Sequence, residues 1–123
     1  MRRILFVDDY ADALQVWAEY LRLSGYIVTA CSSGVEALVA AERHPPDVAV
    51  FDLEMPGISG FDLVRQFRAR AATTHVPIIA MTGHSGPDTA AHARAAGFNL
   101  VIVKPCDPDR LMAEIDRLLD GLT

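Results

Sequence analysis

Val48-Ala49-Val50-Phe51-Asp52-Leu53-Glu54-Met55-Pro56-Gly57-Ile58-Ser59-Gly60 carries the strongest structural signal in the chain. It opens with an unbroken apolar run of strand length, bounded by Pro45-Pro46 before it and Pro56-Gly57 after it, the pattern of a strand buried on both faces. Asp52 follows the last apolar residue of that run. At the carboxyl end of a buried parallel strand, a carboxylate stands where open α/β sheets bind their ligands, in the crevice beyond the strand ends. Taken alone, an Asp ahead of Pro-Gly reads better as a turn residue that bonds its own backbone. The functional reading comes from the residues that close the other apolar runs.

Working outward, Ile4 to Val7 is a short apolar run closed by Asp8-Asp9, a buried first strand that ends in two carboxylates. Leu14, Trp17, Ala18 and Leu21 then fall at helical spacing and Gly25 is a natural stop, which predicts a helix over Ala11 to Ser24. Tyr26 to Ala30 reads as a strand with a β-branched centre. Ser33-Gly34-Val35-Glu36 has the spacing of a capping box, and Val35, Leu38 and Val39 are expected to form the inward stripe of a helix that Pro45-Pro46 ends. After the quoted strand, Ser59 or Gly60 starts a helix with Phe61, Val64 and Phe67 on one face, and Val76 to Met81 is a strand that ends in Thr82-Gly83. The Ala-rich segment Pro87 to Ala96 predicts a helix with the least firm packing. Leu100 to Val103 is the last strand, closed by Lys104-Pro105. Asp107-Pro108 supplies an N-cap and a first-turn proline to a final helix carrying Leu111, Ile115, Leu118 and Leu119 on its apolar face.

Strand and helix thus alternate about five times, which requires crossover connections and predicts an α/β fold, a doubly wound parallel sheet with helices on both faces. Right-handed crossovers bring the carboxyl ends of the strands to one edge, so Asp8, Asp9, Asp52, Thr82 and Lys104 are expected to converge there.

Composition narrows the function. At 123 residues the chain fits one domain, residues 1–123, long enough for a single core. An apolar fraction of 51% and a charged fraction of 22% are those of a globular protein, and no apolar run reaches the roughly 18 residues of a membrane span. Met1-Arg2-Arg3 leads within a few residues to Asp8-Asp9, which no secretory core contains, so a cytoplasmic location is expected. A formal net charge of -5 argues against a nucleic-acid partner. Arg65, Arg68 and Arg70 form the densest basic group and read as a solvated helix face. Cys31 and Cys106 lack metal-ligand or pairing patterns and read as reduced thiols without a role.

Carboxylates gathered at one edge repel one another unless a cation or a proton relieves them. Mg²⁺, or Mn²⁺, suits a site of carboxylates, waters and phosphate oxygens, and nothing here resembles the His/Cys set that selects zinc. His44, His75, His84 and His92 are scattered and read as surface histidines. Beside such a cation a Thr hydroxyl and a Lys ammonium would each hold a phosphoryl oxygen, leaving Asp52 as a carboxylate nucleophile that forms an aspartyl phosphate.

Asp8-Asp9 after the first strand, Asp52 through Gly60 after the third, Thr82-Gly83 after the fourth and Lys104-Pro105 after the fifth together resemble the response-regulator receiver domain, over the whole chain. The resemblance implies a five-stranded flavodoxin-like sheet of order 2-1-3-4-5 and a phosphorylation-dependent switch of a two-component system. Asp52 would accept a phosphoryl group from a sensor histidine kinase or a histidine phosphotransfer protein, with Thr82 and Lys104 holding its oxygens. Asp9, Asp52 and the backbone carbonyl of Glu54 would bind Mg²⁺ directly and Asp8 through water. The domain would catalyse only its own phosphorylation and dephosphorylation, and would signal or relay to a downstream protein by contact, with no nucleic-acid or membrane partner. The Lys104-Pro105 peptide is expected to be cis.

One position departs from the family. Three residues before the lysine, many receivers carry a Tyr or Phe that swings inward on activation; here it is Val101, small and stiff at χ1. A weaker or rerouted response is expected, through Thr82, the loop from Gly83 to Pro87 and the Ala-rich helix. Glu54 and His84, each two residues beyond a site residue, take positions that in the family flank the entry path of the hydrolytic water; the resemblance implies that Glu54 would repel an anionic phosphodonor or orient water, that His84 would pair with it, and that both would affect phosphoryl lifetime. With a final helix running almost to Thr123 no output domain is expected, and from the Met1 start a stand-alone receiver is expected rather than a piece of a hybrid kinase. Two alternatives compete: a degenerate receiver that only mediates contacts, and a phosphatase of the haloacid-dehalogenase type, whose Asp-x-Asp after the first strand is missing here.

Overall fold

Alternate residues of one strand feed two separate cores, and that division organises the molecule. The computed structural model describes residues 1–84 and 86–121, and in it the third strand, β3 (Val48–Asp52), is buried along its whole length. Ala49 and Phe51 enter one apolar cluster, whereas Val48 and Val50 enter the other. A period of two with both faces apolar is what a central parallel strand requires.

Around it stand β1 (Arg3–Val7), α1 (Ala11–Leu23), β2 (Ile27–Cys31), α2 (Gly34–Arg43), α3 (Gly60–Ala69), β4 (Ile78–Thr82), α4 (Pro87–Ala96), β5 (Leu100–Val103) and α5 (Pro108–Asp120). The five strands are all parallel, in the order β2-β1-β3-β4-β5. The doubly wound, flavodoxin-like sheet expected from the sequence is the fold observed. Leu14, Ala18 and Leu21 of α1 and Leu111, Ile115 and Leu119 of α5 pack on one face of the sheet. Residues of α2, α3 and α4 pack on the other, where Phe51 meets Phe67 edge-on at 5.0 Å between ring centroids. The cis peptide expected at Lys104-Pro105 is present.

Caps follow the sequence signals. Ser33 Oγ accepts from the Glu36 N–H at 3.2 Å, and the Glu36 carboxylate accepts from the Ser32 N–H at 2.9 Å, one residue earlier than the expected reciprocal bond. Ser59 Oγ accepts from the Asp62 N–H at 3.2 Å and Asp107 Oδ1 from the Asp109 N–H at 2.9 Å. Strands β2 and β4 sit slightly later than expected, so Cys31 and Thr82 belong to strands.

Two expectations are corrected. Val35 and Val39 do not face inward; they are 61% and 49% exposed, and α2 buries Gly34, Ala37 and Ala41 instead, with Leu38 only partly buried. At the first turn the reason is clearance: a Cβ on Gly34 would lie 2.9 Å from Ile58 Cβ, so the inward face begins at a position that admits no side chain and the valines one and five residues on point outward. Nor is Arg68 part of a solvated face. Its guanidinium, about half-buried, donates to the carbonyls of Gly97 (2.8 Å), Thr74 (3.0 Å) and Val76 (2.6 Å) and to Asn99 Oδ1 (2.9 Å). It thereby ties the end of α3 to the segments leading into β4 and β5. Both cysteines are free thiols, as expected.

Candidate functional site

Each residue expected at the site stands at or just beyond the carboxyl end of a strand. Asp52 is the last residue of β3 and Thr82 the last of β4; Asp8 follows β1 and Lys104 follows β5. Pairing continues past the strands and holds these ends together. The Leu53 N–H donates to the Met81 carbonyl at 2.9 Å, the Lys104 N–H to that of Thr82 at 2.7 Å and the Asp8 N–H to that of Cys31 at 3.1 Å. Side chains anchored this way ride on the rigid sheet rather than on loops.

The structure brings Asp8, Asp9 and Asp52 together, with a carboxylate oxygen of each within 4.8 Å of the others. Asp8 and Asp52 are buried, whereas Asp9 is exposed. Tyr10 donates its N–H to Asp8 Oδ1 at 2.9 Å and Glu54 its N–H to Asp52 Oδ1 at 3.0 Å. Lys104 Nζ lies 3.2 Å from the second Asp52 oxygen, Oδ2. Burial pushes the Asp52 carboxyl up to about 6, against the lowering effects of the Glu54 N–H and the Lys104 ammonium. The protein's own groups thus leave the charge on Asp52 only partly compensated. Three hard carboxylates with no nitrogen or sulfur among them form a donor set that fits an oxygen-seeking divalent cation such as Mg²⁺.

Thr82 and Glu54 form the second half of the site. The Thr82 hydroxyl donates to Glu54 Oε1 at 2.6 Å and accepts the His84 N–H at 3.0 Å. The Gly83 N–H donates to the same Glu54 oxygen at 2.9 Å, and His84 Nε2 lies 3.7 Å from it. Partial burial works to raise the Glu54 carboxyl, but the bonds from Thr82 and Gly83 and the neighbouring Asp52 outweigh it and hold Glu54 below the usual glutamate range. The pairing of His84 with Glu54 is legible in the sequence; that both converge on Thr82 is not. A groove of about 260 Å³ continues from Glu54 and Thr82 to Phe61, Asp88, Thr89 and His92.

Gly60 has a part in this geometry that the sequence signalled only as a helix start. A Cβ there would stand 2.7 Å from the Asp52 carbonyl oxygen and 2.9 Å from Leu53 Cα, so the first turn of α3 presses directly on the backbone of the Asp52 turn. Val101 is partly buried against the core on the α2–α3–α4 side. His44, His84 and His92 are exposed; the His92 ring stacks on Phe61 at 4.6 Å.

Comparison with known proteins agrees with this geometry. The family pattern described as the response regulator receiver domain matches residues 4–116. Protein PilH of Pseudomonas aeruginosa is 30% identical over 121 residues, covering 98% of this chain and all of its own length. The CAI-1 autoinducer sensor kinase/phosphatase CqsS of Vibrio cholerae is 36% identical over 115 residues, and the alginate biosynthesis transcriptional regulatory protein AlgB of P. aeruginosa 38% over 109. This chain covers 17% and 24% of those two longer proteins. Among solved structures, chemotaxis protein CheY4 of V. cholerae superposes with a TM-score of 0.91 at 31% identity, over 95% of this chain and 98% of that one. A response regulator from Desulfuromonas acetoxidans gives 0.90 at 31% identity, with full coverage of both. The haloacid-dehalogenase alternative falls away. With the pattern spanning nearly its whole length and a full-length relative at 30% identity, the chain belongs to the response regulator receiver domain family of two-component signalling.

Proposed function

We propose that Asp52 is the phosphoacceptor of this receiver domain, taking its phosphoryl group from a phosphohistidine on a sensor histidine kinase or a histidine phosphotransfer protein. The observation that carries this reading is the Asp52 carboxylate itself, 6% exposed, with the Lys104 ammonium at 3.2 Å and a carboxylate oxygen of each of Asp8 and Asp9 within 4.8 Å. An Asp52 oxygen attacks phosphorus, the P–N bond of the donor breaks, and the imidazole nitrogen retains that electron pair. Lys104 and the Thr82 hydroxyl hold the phosphoryl oxygens as charge develops on them. Hydrolysis of the acyl phosphate by water returns the Asp52 carboxylate and releases inorganic phosphate. No separate substrate is turned over.

Asp9, Asp52 and the Glu54 carbonyl would hold Mg²⁺, or Mn²⁺, with Asp8 acting through water. The bound cation supplies positive charge that relieves the repulsion among the carboxylates and the phosphoryl group. The donor set described above supports this assignment. The phosphorylated state signals to a downstream protein by contact, through Thr82, the segment 83–87 and α4; Ser85, within that segment, lies outside the described residues. Val101, in place of an aromatic, routes this response without a large rotamer change. A cytoplasmic location accords with the absence, among the described residues, of any helix long and apolar enough to cross a membrane.

The test is the intact mass after incubation with Mg²⁺ and acetyl phosphate, run beside Asp52→Asn. The expected result is a gain of one phosphoryl group by the parent, lost without Mg²⁺ and in the variant. A parent that gains nothing and releases no phosphate would instead favour a domain that acts by contact alone.

A further inference from the structure

We infer that Glu54 is a resident occupant of the phosphoryl-oxygen seat, so that its carboxylate must be displaced before a phosphoryl group can be held there. This rests on Asp52 as the phosphoacceptor. A hydroxyl and a backbone N–H at the end of β4 converge on one anionic oxygen: Thr82 Oγ1 and the Gly83 N each donate to Glu54 Oε1, at 2.6 and 2.9 Å. A pair of convergent donors at a strand end is an anion seat, and here the chain fills it itself. The His84 N–H, donating to Thr82 Oγ1 at 3.0 Å, turns the hydroxyl proton toward Glu54. The His84 ring at 3.7 Å adds a further polar neighbour to the same oxygen. A phosphoryl oxygen drawn to Thr82 would need the space and the two donors that Glu54 Oε1 already uses, and two anions do not share them.

Displacement is feasible in this fold. The Glu54 side chain is 38% exposed, and the adjoining groove toward Phe61 and His92 gives the freed carboxylate a place to turn. Glu54 therefore competes with any phosphoryl group that enters the seat, and a small anionic donor must expel the carboxylate with only its own phosphoryl contacts.

The experiment compares the parent, Glu54→Ala and Glu54→Gln, using beryllium trifluoride with Mg²⁺ as the phosphoryl mimic and acetyl phosphate as the donor. Affinity is followed by the Gly83 amide resonance and labelling by intact mass. Loss of a charge-assisted competitor on two donors at a partly exposed site should tighten beryllium trifluoride binding and speed labelling by about tenfold in Glu54→Ala. Glu54→Gln, neutral but still an acceptor, should fall between. In the ligand-free proteins the Gly83 amide should move on Glu54→Ala, because its charge-assisted bond is gone, whereas the liganded forms should agree. If the parent is labelled at Asp52 but Glu54→Ala binds and reacts no better, the inference is overturned and the phosphoacceptor reading stands. If neither protein is labelled or binds the mimic, the phosphoacceptor reading fails and takes the inference with it.

Discussion

Replacing Asp52 with asparagine should make the cation-free protein more stable, and more so at neutral than at acid pH. The carboxyl is raised by burial from 3.8 to about 6 in the folded protein, so between those values the folded state binds more protons than the unfolded chain. The sign follows: stability falls as pH rises through that window, and above it the folded protein carries the full cost of an incompletely compensated buried charge. A shift of roughly two pH units corresponds to about 3 kcal/mol at pH 7.5, falling to about 1 kcal/mol at pH 4.5, where most folded molecules have Asp52 protonated. Asparagine keeps the shape and removes the charge. It also deprives Lys104 of a partner, but that side chain is 36% exposed and can turn to water. The expected net gain is about 1–3 kcal/mol at pH 7.5, or several degrees in melting temperature for a chain of this length. At pH 4.5 about a third of it should remain. The assay is urea unfolding of parent and variant with a chelator present, at both pH values. Carboxylates remote from the site titrate alike in both proteins and cancel, so the difference reports Asp52 together with Glu54, which Asp52 helps to hold low. Added Mg²⁺ should then stabilise the parent more than the variant and narrow the gap. A variant no more stable than its parent at pH 7.5, or a gap that does not change with pH, would refute the reasoning.

Arg68→Ala should cost about 2–3 kcal/mol in urea unfolding, since carbonyls of the segments at 73–76 and 97 lose a charged donor, and Arg68→Lys should recover less than half because an ammonium cannot span them. A loss within about 0.5 kcal/mol, the range of ordinary surface changes, would restore the solvated-face reading. Gly60→Ala should destabilise by about 1–3 kcal/mol, because its Cβ meets the Asp52 carbonyl and Leu53 backbone rather than a side chain that can yield. It should also slow labelling at Asp52 by acetyl phosphate; unchanged labelling would mean that the α3 contact does not position the phosphoacceptor turn.

The alternation of strands and helices, the caps of α2, α3 and α5 and the residues that close the strands are legible in the amino-acid sequence alone. These are local signals: apolar runs, turn residues and periodicity over a few positions. Strand order was carried by resemblance to the receiver family, and the structure has that order. Because every crossover delivers its strand end to one edge, reading the residues at or just past each strand end is enough to expect Asp8, Asp9, Asp52, Thr82 and Lys104 at that edge. Relations between side chains far apart in the chain are not legible in the sequence alone, because they depend on how the elements pack. Hydrophobicity pointed α2 inward by its valines, but the clearance against Ile58 at the first turn put Gly34 inward instead. Arg68 looked solvated until the carbonyls around Gly97 and Val76 came within reach. Glu54 and Thr82, 28 residues apart, share a hydrogen bond that no periodicity encodes, because it depends on how two strand ends are set side by side.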